Sequence, residues 1–304
     1  MTQADSSGLA ELLQEVRRIE IQSSRLASDL LSGGYRSVFR GSGVEFEEVR
    51  EYAEGDDPRT VDWSVTARMG RPYVRKYKEE RQRTFVFLFD LSSSMDGGFG
   101  VFSARETATR VAATLARAAV RGDDRVGLLA FGSALERFVP PGKGLPHALR
   151  ILRDCLTLPS HPGPASLGLA LEHAARVLRR RTILFVMSDF LADGWEGPLA
   201  LCAQRHDVIA VRLLLPEFDP PQTEPMRLRD PESDLRATVA WQDEGSRAAY
   251  QQRVAAWTER TEFSLRRAGV ECMNVPVLRE PNRDAIAKPI LDFFNRRTRR
   301  EQGQ

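Results

Sequence analysis

The run Phe85-Val-Phe-Leu-Phe89 presents apolar side chains to both faces, and it stops abruptly at Asp90-Leu91-Ser92-Ser93-Ser94-Met95. A strand apolar on both faces belongs inside a parallel sheet that helices cover on each side. In open sheets of that kind, ligands sit just beyond the carboxyl ends of the strands. Asp90, Ser92 and Ser94 therefore fall on a binding edge. One carboxylate with two hydroxyls at alternate positions is a hard-oxygen set, suited to Mg2+ rather than Zn2+ because it lacks thiolate and imidazole. The competing reading is a plain turn, since Asp and Ser side chains hydrogen-bond nearby backbone.

The chain after Thr84 repeats the same grammar. Ser103-Ala-Arg-Glu106 is a capping box opening a helix whose apolar face runs Ala104, Ala108, Val111, Ala112, Leu115, Ala116 and Ala119. Val126–Phe131, Thr182–Ser188 and Val208–Leu215 predict further buried strands, with Arg137–Val139 as a short edge strand. Leu145–Leu156 and Leu167–Leu178 predict amphipathic helices. Met226–Leu228 and Ala237–Trp241 predict a hairpin, and a helix over 245–268, a strand over 271–275 and a last helix follow. Alternating strands and helices predict an α/β fold with a doubly wound, mostly parallel sheet over 84–304. Before it, residues 1–34 predict a helical segment and 35–83 a small β-containing extension with Trp63 among its apolar anchors. Within that extension, Gly55-Asp56-Asp57-Pro58-Arg59 and Asp62-Trp63 form a group that is either a structural brace or a docking surface.

A second carboxylate completes the first. The strand 182–188 ends in Asp189, so Asp90 and Asp189 emerge at the same edge and can share one divalent cation, unless Asp189 merely caps the next turn. Enzymatic signatures are missing: there is no G-x-x-x-x-G-K-[ST] and no G-x-S-x-G. His147, His161, His173 and His206 lack metal-ligand spacing. The expectation is a non-enzymatic protein. Its alternative is a metal-dependent phosphate-ester hydrolase with Asp90 as nucleophile, although that chemistry usually wants a second carboxylate where Ser92 stands.

Charge and cysteine usage narrow the partners. Lys plus Arg total 44 against 42 for Asp plus Glu, a net charge of +2, so no polyanion is implied. The basic run from Arg68 to Arg83 is interrupted by Glu79 and Glu80 and reads as a solvated strand face rather than a nucleic-acid surface. No apolar stretch reaches membrane-spanning length, and Cys155, Cys202 and Cys272 are scattered, as in reduced core thiols. These features predict a cytoplasmic protein without membrane insertion.

The D-x-S-x-S pattern resembles the metal-ion-dependent adhesion site of von Willebrand factor A domains. The preceding block Gly41-Ser-Gly-Val-Glu-Phe46, Arg50-Glu-Tyr52, Gly55-Asp-Asp57, Arg59, Asp62-Trp63, Ala67-Arg68 and Tyr73-Val-Arg-Lys-Tyr77 closely resembles the bacterial domain-of-unknown-function 58 family. That resemblance implies a von Willebrand factor A-like domain in the soluble branch of the family. It implies a protein-binding adaptor acting with a MoxR-type AAA+ ATPase and a client protein, in complex assembly or maturation. It also implies a Mg2+ site at Asp90, Ser92, Ser94 and Asp189. The family site usually adds a Thr from a loop before a helix. Here Gly163-Pro-Ala-Ser166 places Ala165 at that point, with Ser166 beside it as the hydroxyl if the loop shifts by one residue. Without that hydroxyl, Mg2+ binding should be weak.

Overall fold

The computed structural model describes residues 18–19, 27–28, 45–53, 56, 61–78, 82–97, 100–160, 163–219, 225–230, 232–233, 235–280 and 284–302. Residues 18–19 and 27–28 are helical; the rest of the expected N-terminal helix lies outside the described residues. The chain divides into two units, residues 39–83 and the remainder.

In the smaller unit, β1 (Glu45–Glu51) pairs antiparallel with β2 (Tyr73–Lys78), and α1 (Trp63–Met69) lies between them in sequence. The sequence pattern suggested only strands and turns here, so α1 is a correction. Its cause is local: the Asp62 carboxylate accepts from Ser64 N at 3.0 Å and Val65 N at 3.2 Å, satisfying two helix-start amides. Gly70 then closes the helix in the left-handed region at φ 72°. Trp63 is 75% exposed, so it does not serve as the buried anchor expected of it. Arg50 donates to Asp56 Oδ1 at 2.7 Å, while Asp56 Oδ2 accepts from Ala53 N at 2.9 Å. Asp56 thus braces the corner after β1. Arg59, its neighbour in the proposed group, lies outside the described residues.

The larger unit carries the six-stranded sheet. Its strands are β3 (Thr84–Asp90), β4 (Arg125–Phe131), β5 (Leu135–Gly142), β6 (Ile183–Ser188), β7 (Asp207–Leu214) and β10 (Glu271–Pro276). They lie in the order β10-β7-β6-β3-β4-β5, all parallel except β5, which runs antiparallel along the edge beside β4. This is the doubly wound, mostly parallel α/β sheet predicted from the sequence.

Both faces of the sheet are covered, which explains its unbroken apolar strands. On one face Val86, Leu88, Leu184 and Val186 pack with Leu167, Ala170, Leu171 and Ala174 of α5 (Leu167–Val177) and Leu199 of α6 (Glu196–Arg205). On the other face Phe85 stacks on Phe185 and Phe87 packs tilted against it, at 6.1 and 5.9 Å between ring centres. Helix α3 (Ala104–Arg121), opened by the expected Ser103–Glu106 capping box, packs against the sheet. Each such buried Phe or Leu contributes on the order of 2 kcal/mol relative to exposure.

The short α2 (Ser93–Asp96) follows β3, and α4 (Leu145–Thr157) follows β5. A two-stranded ribbon of β8 (Met226–Arg229) and β9 (Arg236–Val239) stands apart from the main sheet. Helices α7 (Glu244–Arg267) and α8 (Asp284–Gln302) flank β10 in sequence. The arginines near the C-terminus are not all a solvated helix end, as the sequence suggested. Arg297 is mostly buried and pairs with Asp207 at 2.5 Å and Glu271 at 3.3 Å, tying α8 to the starts of β7 and β10.

Candidate metal centre at the carboxyl edge of the sheet

Strand β3 comes first in the sheet; the chain then builds β4 and β5 on one side of it and β6, β7 and β10 on the other. The order reverses between β3 and β6, and such switch points open a crevice at the carboxyl ends of the two strands. Parallel pairing of Phe89 with Met187 sets Asp90 beside Ser188 and brings Asp189 just beyond.

Hydrogen bonds join the predicted residues into one cluster. Asp90 Oδ1 accepts from Ser92 N at 2.8 Å, and Asp90 Oδ2 accepts from the Ser188 hydroxyl at 2.6 Å. The Ser94 hydroxyl donates to Asp189 Oδ2 at 2.7 Å and lies 3.1 Å from the Ser92 hydroxyl. Because Ser94 spends its one proton on Asp189, Ser92 must be the donor between the two hydroxyls. Asp189 Oδ1 accepts from Leu191 N at 3.0 Å. Asp90, Ser92, Ser188 and Asp189 are fully buried, and Ser94 lies at the rim.

Ser166 makes other bonds. It precedes α5, its amide donates to Gly132 O at 2.8 Å, and its hydroxyl donates to Ser133 O at 2.6 Å. Those bonds fasten it to the turn after β4, and no hydrogen bond links it to the Asp90–Asp189 cluster.

The family described as "Protein of unknown function DUF58" matches residues 48–260. The chain belongs to the DUF58 family. Relatives include the uncharacterized proteins Mb1516 of Mycobacterium bovis and Rv1480 of Mycobacterium tuberculosis. Each is 33% identical over 248 residues, spanning 79% of this chain and 78% of the relative. Among solved structures, the conserved hypothetical protein BatB from Bacteroides thetaiotaomicron is similar with a TM-score of 0.39 and 14% identity, over 71% of this chain and 99% of that one. The SpRpn10 VWA domain is similar with a TM-score of 0.37 and 13% identity, over 69% and 94% of the two chains.

In this DUF58 chain the electrostatics of the cluster are unusual. Burial, and then the charge of Asp189, push the Asp90 carboxyl up from 3.8 to about 7. Asp189 is also pushed up, chiefly by burial. Among the described residues no Lys, Arg or His side chain pairs with either carboxylate, and no third His, Cys, Asp or Glu joins them at metal-ligating separation. Two buried carboxylates with hydroxyls between them, and no cationic side chain to neutralise them, are costly unless a proton or a cation is supplied. The donor set is all oxygen, so it fits a hard divalent cation such as Mg2+, whose remaining positions water can fill. Asp90, Ser92, Ser94 and Asp189 are the residues that would hold it.

Three participants escaped the sequence reading. Ser188 bonds Asp90 and also accepts from Phe190 N at 3.0 Å; a hydroxyl closing an otherwise apolar buried strand was its signal. Phe190 adopts a positive φ of 61°, which non-glycine residues rarely do, and its ring meets Trp195 edge-on at 5.3 Å. That buried aromatic pair holds the turn that aims Asp189, and the backbone strain is of order 1–3 kcal/mol. Glu232, in the β8–β9 turn, is the third: burial, and then the charge of Asp189, push its carboxyl above the usual carboxylate range. Nothing in its local sequence marked it.

Proposed function

We propose that this protein is a non-enzymatic binding adaptor whose Asp90, Ser92, Ser94 and Asp189 hold a Mg2+ that bridges to a carboxylate of a partner protein. The observation that carries the reading is the buried Asp90–Asp189 pair, joined through Ser92 and Ser94, with no cationic side chain paired to it among the described residues. The cation, when bound, supplies an open coordination position for an acidic side chain. The chain's own residues do the rest: β3 and β6 fix the carboxylates, Ser92 and Ser94 order the hydroxyls, and the Phe190–Trp195 pair keeps the loop after Asp189 in place. Family membership supports a MoxR-type AAA+ ATPase and its client as the partners, in protein-complex assembly or maturation. Ala165, standing where the family site usually has its Thr, supports weak binding, because it offers no hydroxyl.

The hydrolase alternative draws less support. Asp90 is fully buried, and Ser92 stands where that chemistry usually wants a second carboxylate. Calorimetric titration with Mg2+ tests the binding reading. Wild type should bind at roughly millimolar levels, Asp90→Asn should not bind, and Ala165→Thr should bind more tightly because it adds a hydroxyl without charge. Mg2+-dependent turnover of a phosphate ester that disappears in Asp90→Asn would replace the adaptor with an enzyme.

A further inference from the structure

The two edges of the main sheet are finished differently. At one edge β5 carries Pro140 and Pro141, which have no N–H, and its register against β4 shifts twice. Prolines and irregular register are common means of closing an edge to further pairing. At the other edge β10 runs in unbroken parallel register with β7 from Glu271 to Pro276. Val277 N donates to Leu214 O at 2.9 Å, and the main-chain groups of successive strand residues face alternate sides. Met273 and Val275 therefore turn theirs to β7, whereas Cys272 and Asn274 turn theirs outward. Among the described residues no strand pairs with that outer side, and Asn274 is exposed.

The open edge lines a cleft of about 460 Å3. Leu265 of α7 and Phe293 of α8 supply apolar wall, and Arg266, Arg296 and Arg300 stand around it. Positive charge prevails there. Glu262 is shared by Arg212 and Arg266, and Glu271 by Arg297 and Arg300. Asp207 also pairs with Arg297, while Arg296 pairs with no carboxylate among the described residues. A bare strand edge offers main-chain hydrogen bonds to an extended segment, and here cationic side chains flank it. We propose that β10 is a docking edge for an extended acidic segment of a partner protein, which joins the sheet as a further strand and sets its carboxylates against Arg266, Arg296 and Arg300. The site goes beyond the adaptor reading given above: it needs no cation and uses no residue of the Asp90 cluster.

The test uses the full chain in EDTA and, as probe, a capped fluorescent peptide of about eight alternating Glu and Val residues, long enough to span β10. Fluorescence anisotropy should show binding, weakened roughly tenfold in Arg296→Glu, where a like charge faces the peptide. Methylating every main-chain amide of the peptide keeps its charge and should abolish binding, because the strand's donors are gone. In the free chain, amide exchange followed by NMR should be fast at Cys272 and Asn274 and slow at Met273 and Val275; the peptide should slow the first pair. Asp90→Asn should bind the peptide as wild type does. No binding by wild type, or equal affinity in Arg296→Glu, would overturn the acidic docking edge. Binding that survives amide methylation would also overturn it, reducing the site to capture of any polyanion by surface arginines. Slow exchange at Cys272 and Asn274 before peptide is added would mean that the chain covers its own edge, and would overturn it as well. Loss of binding in Asp90→Asn would move the peptide to the Asp90 cluster and remove this site.

Discussion

Replacing Asp90 with Asn should stabilise the metal-free protein at neutral and alkaline pH. In the unfolded chain Asp90 ionises near 3.8, and in the folded chain near 7. Between those values the folded state holds a proton that the unfolded state has released, so stability falls as pH rises and the loss is complete above about 7. At about 1.36 kcal/mol per pH unit, the full penalty is on the order of 4 kcal/mol, a ceiling because Asp189 shares in the same titration. Asn has nearly the same shape without the charge. Its carbonyl can still accept from Ser92 N, and the Ser188 hydroxyl can turn to accept from the new amide. For a unit of this size each kcal/mol moves the melting temperature by about 2–4 °C, so a gain of up to about 8–16 °C is expected at pH 8 in EDTA. Thermal unfolding followed by circular dichroism from pH 4.5 to pH 8 measures it. The two proteins should converge toward pH 4.5, where Asp90 is protonated in the fold. A variant less stable than wild type at pH 8, or a gap that does not shrink on acidification, would refute the reasoning.

Other substitutions test the scaffold. Ser188→Ala removes the hydroxyl on Asp90 Oδ2 and leaves Phe190 N without its acceptor, which should cost about 1–3 kcal/mol in denaturant unfolding at pH 5. Asp62→Ala should destabilise α1 by about 1 kcal/mol, seen as faster amide exchange at Ser64 and Val65 with little effect on global melting. Arg212 is buried, bonds Asn274 at 2.9 Å and Glu262 at 3.0 Å, and keeps Nη1 without a partner. Glu262→Ala should therefore cost on the order of 3 kcal/mol by stranding a buried charge, whereas Arg212→Met should be near neutral; equal losses in both would contradict that asymmetry.

The central sheet was legible because its strands are buried on both faces, and that burial writes itself as unbroken apolar runs ending in polar residues. Asp90 and Asp189 were readable for the same reason, each being the first carboxylate after such a run. Helix α1 was hidden inside a charge-dense segment, where only the capping Asp62 distinguished it from a turn. Helix α6 escaped notice because it buries little beyond Leu199 and Cys202, leaving a faint periodicity. The Ser188 hydroxyl was visible but unread. Glu232 could not be read at all, since its place depends on where a ribbon folds back in space. The tertiary pairing of Arg297 with Asp207, 90 positions away, was beyond local pattern for the same reason.

Ser94 and Asp189, bonded to each other, stand 95 positions apart in the chain. On the adaptor proposal, neither the D-x-S-x-S turn nor the loop after β6 would be a receptor by itself; the receptor would come into being only when β3 and β6 lie side by side in register. A nascent or partly unfolded chain would then have nothing to show an acidic partner. Recruitment through this cluster would report completed folding of the scaffold, so a partner machine that engages it would be handed only finished molecules.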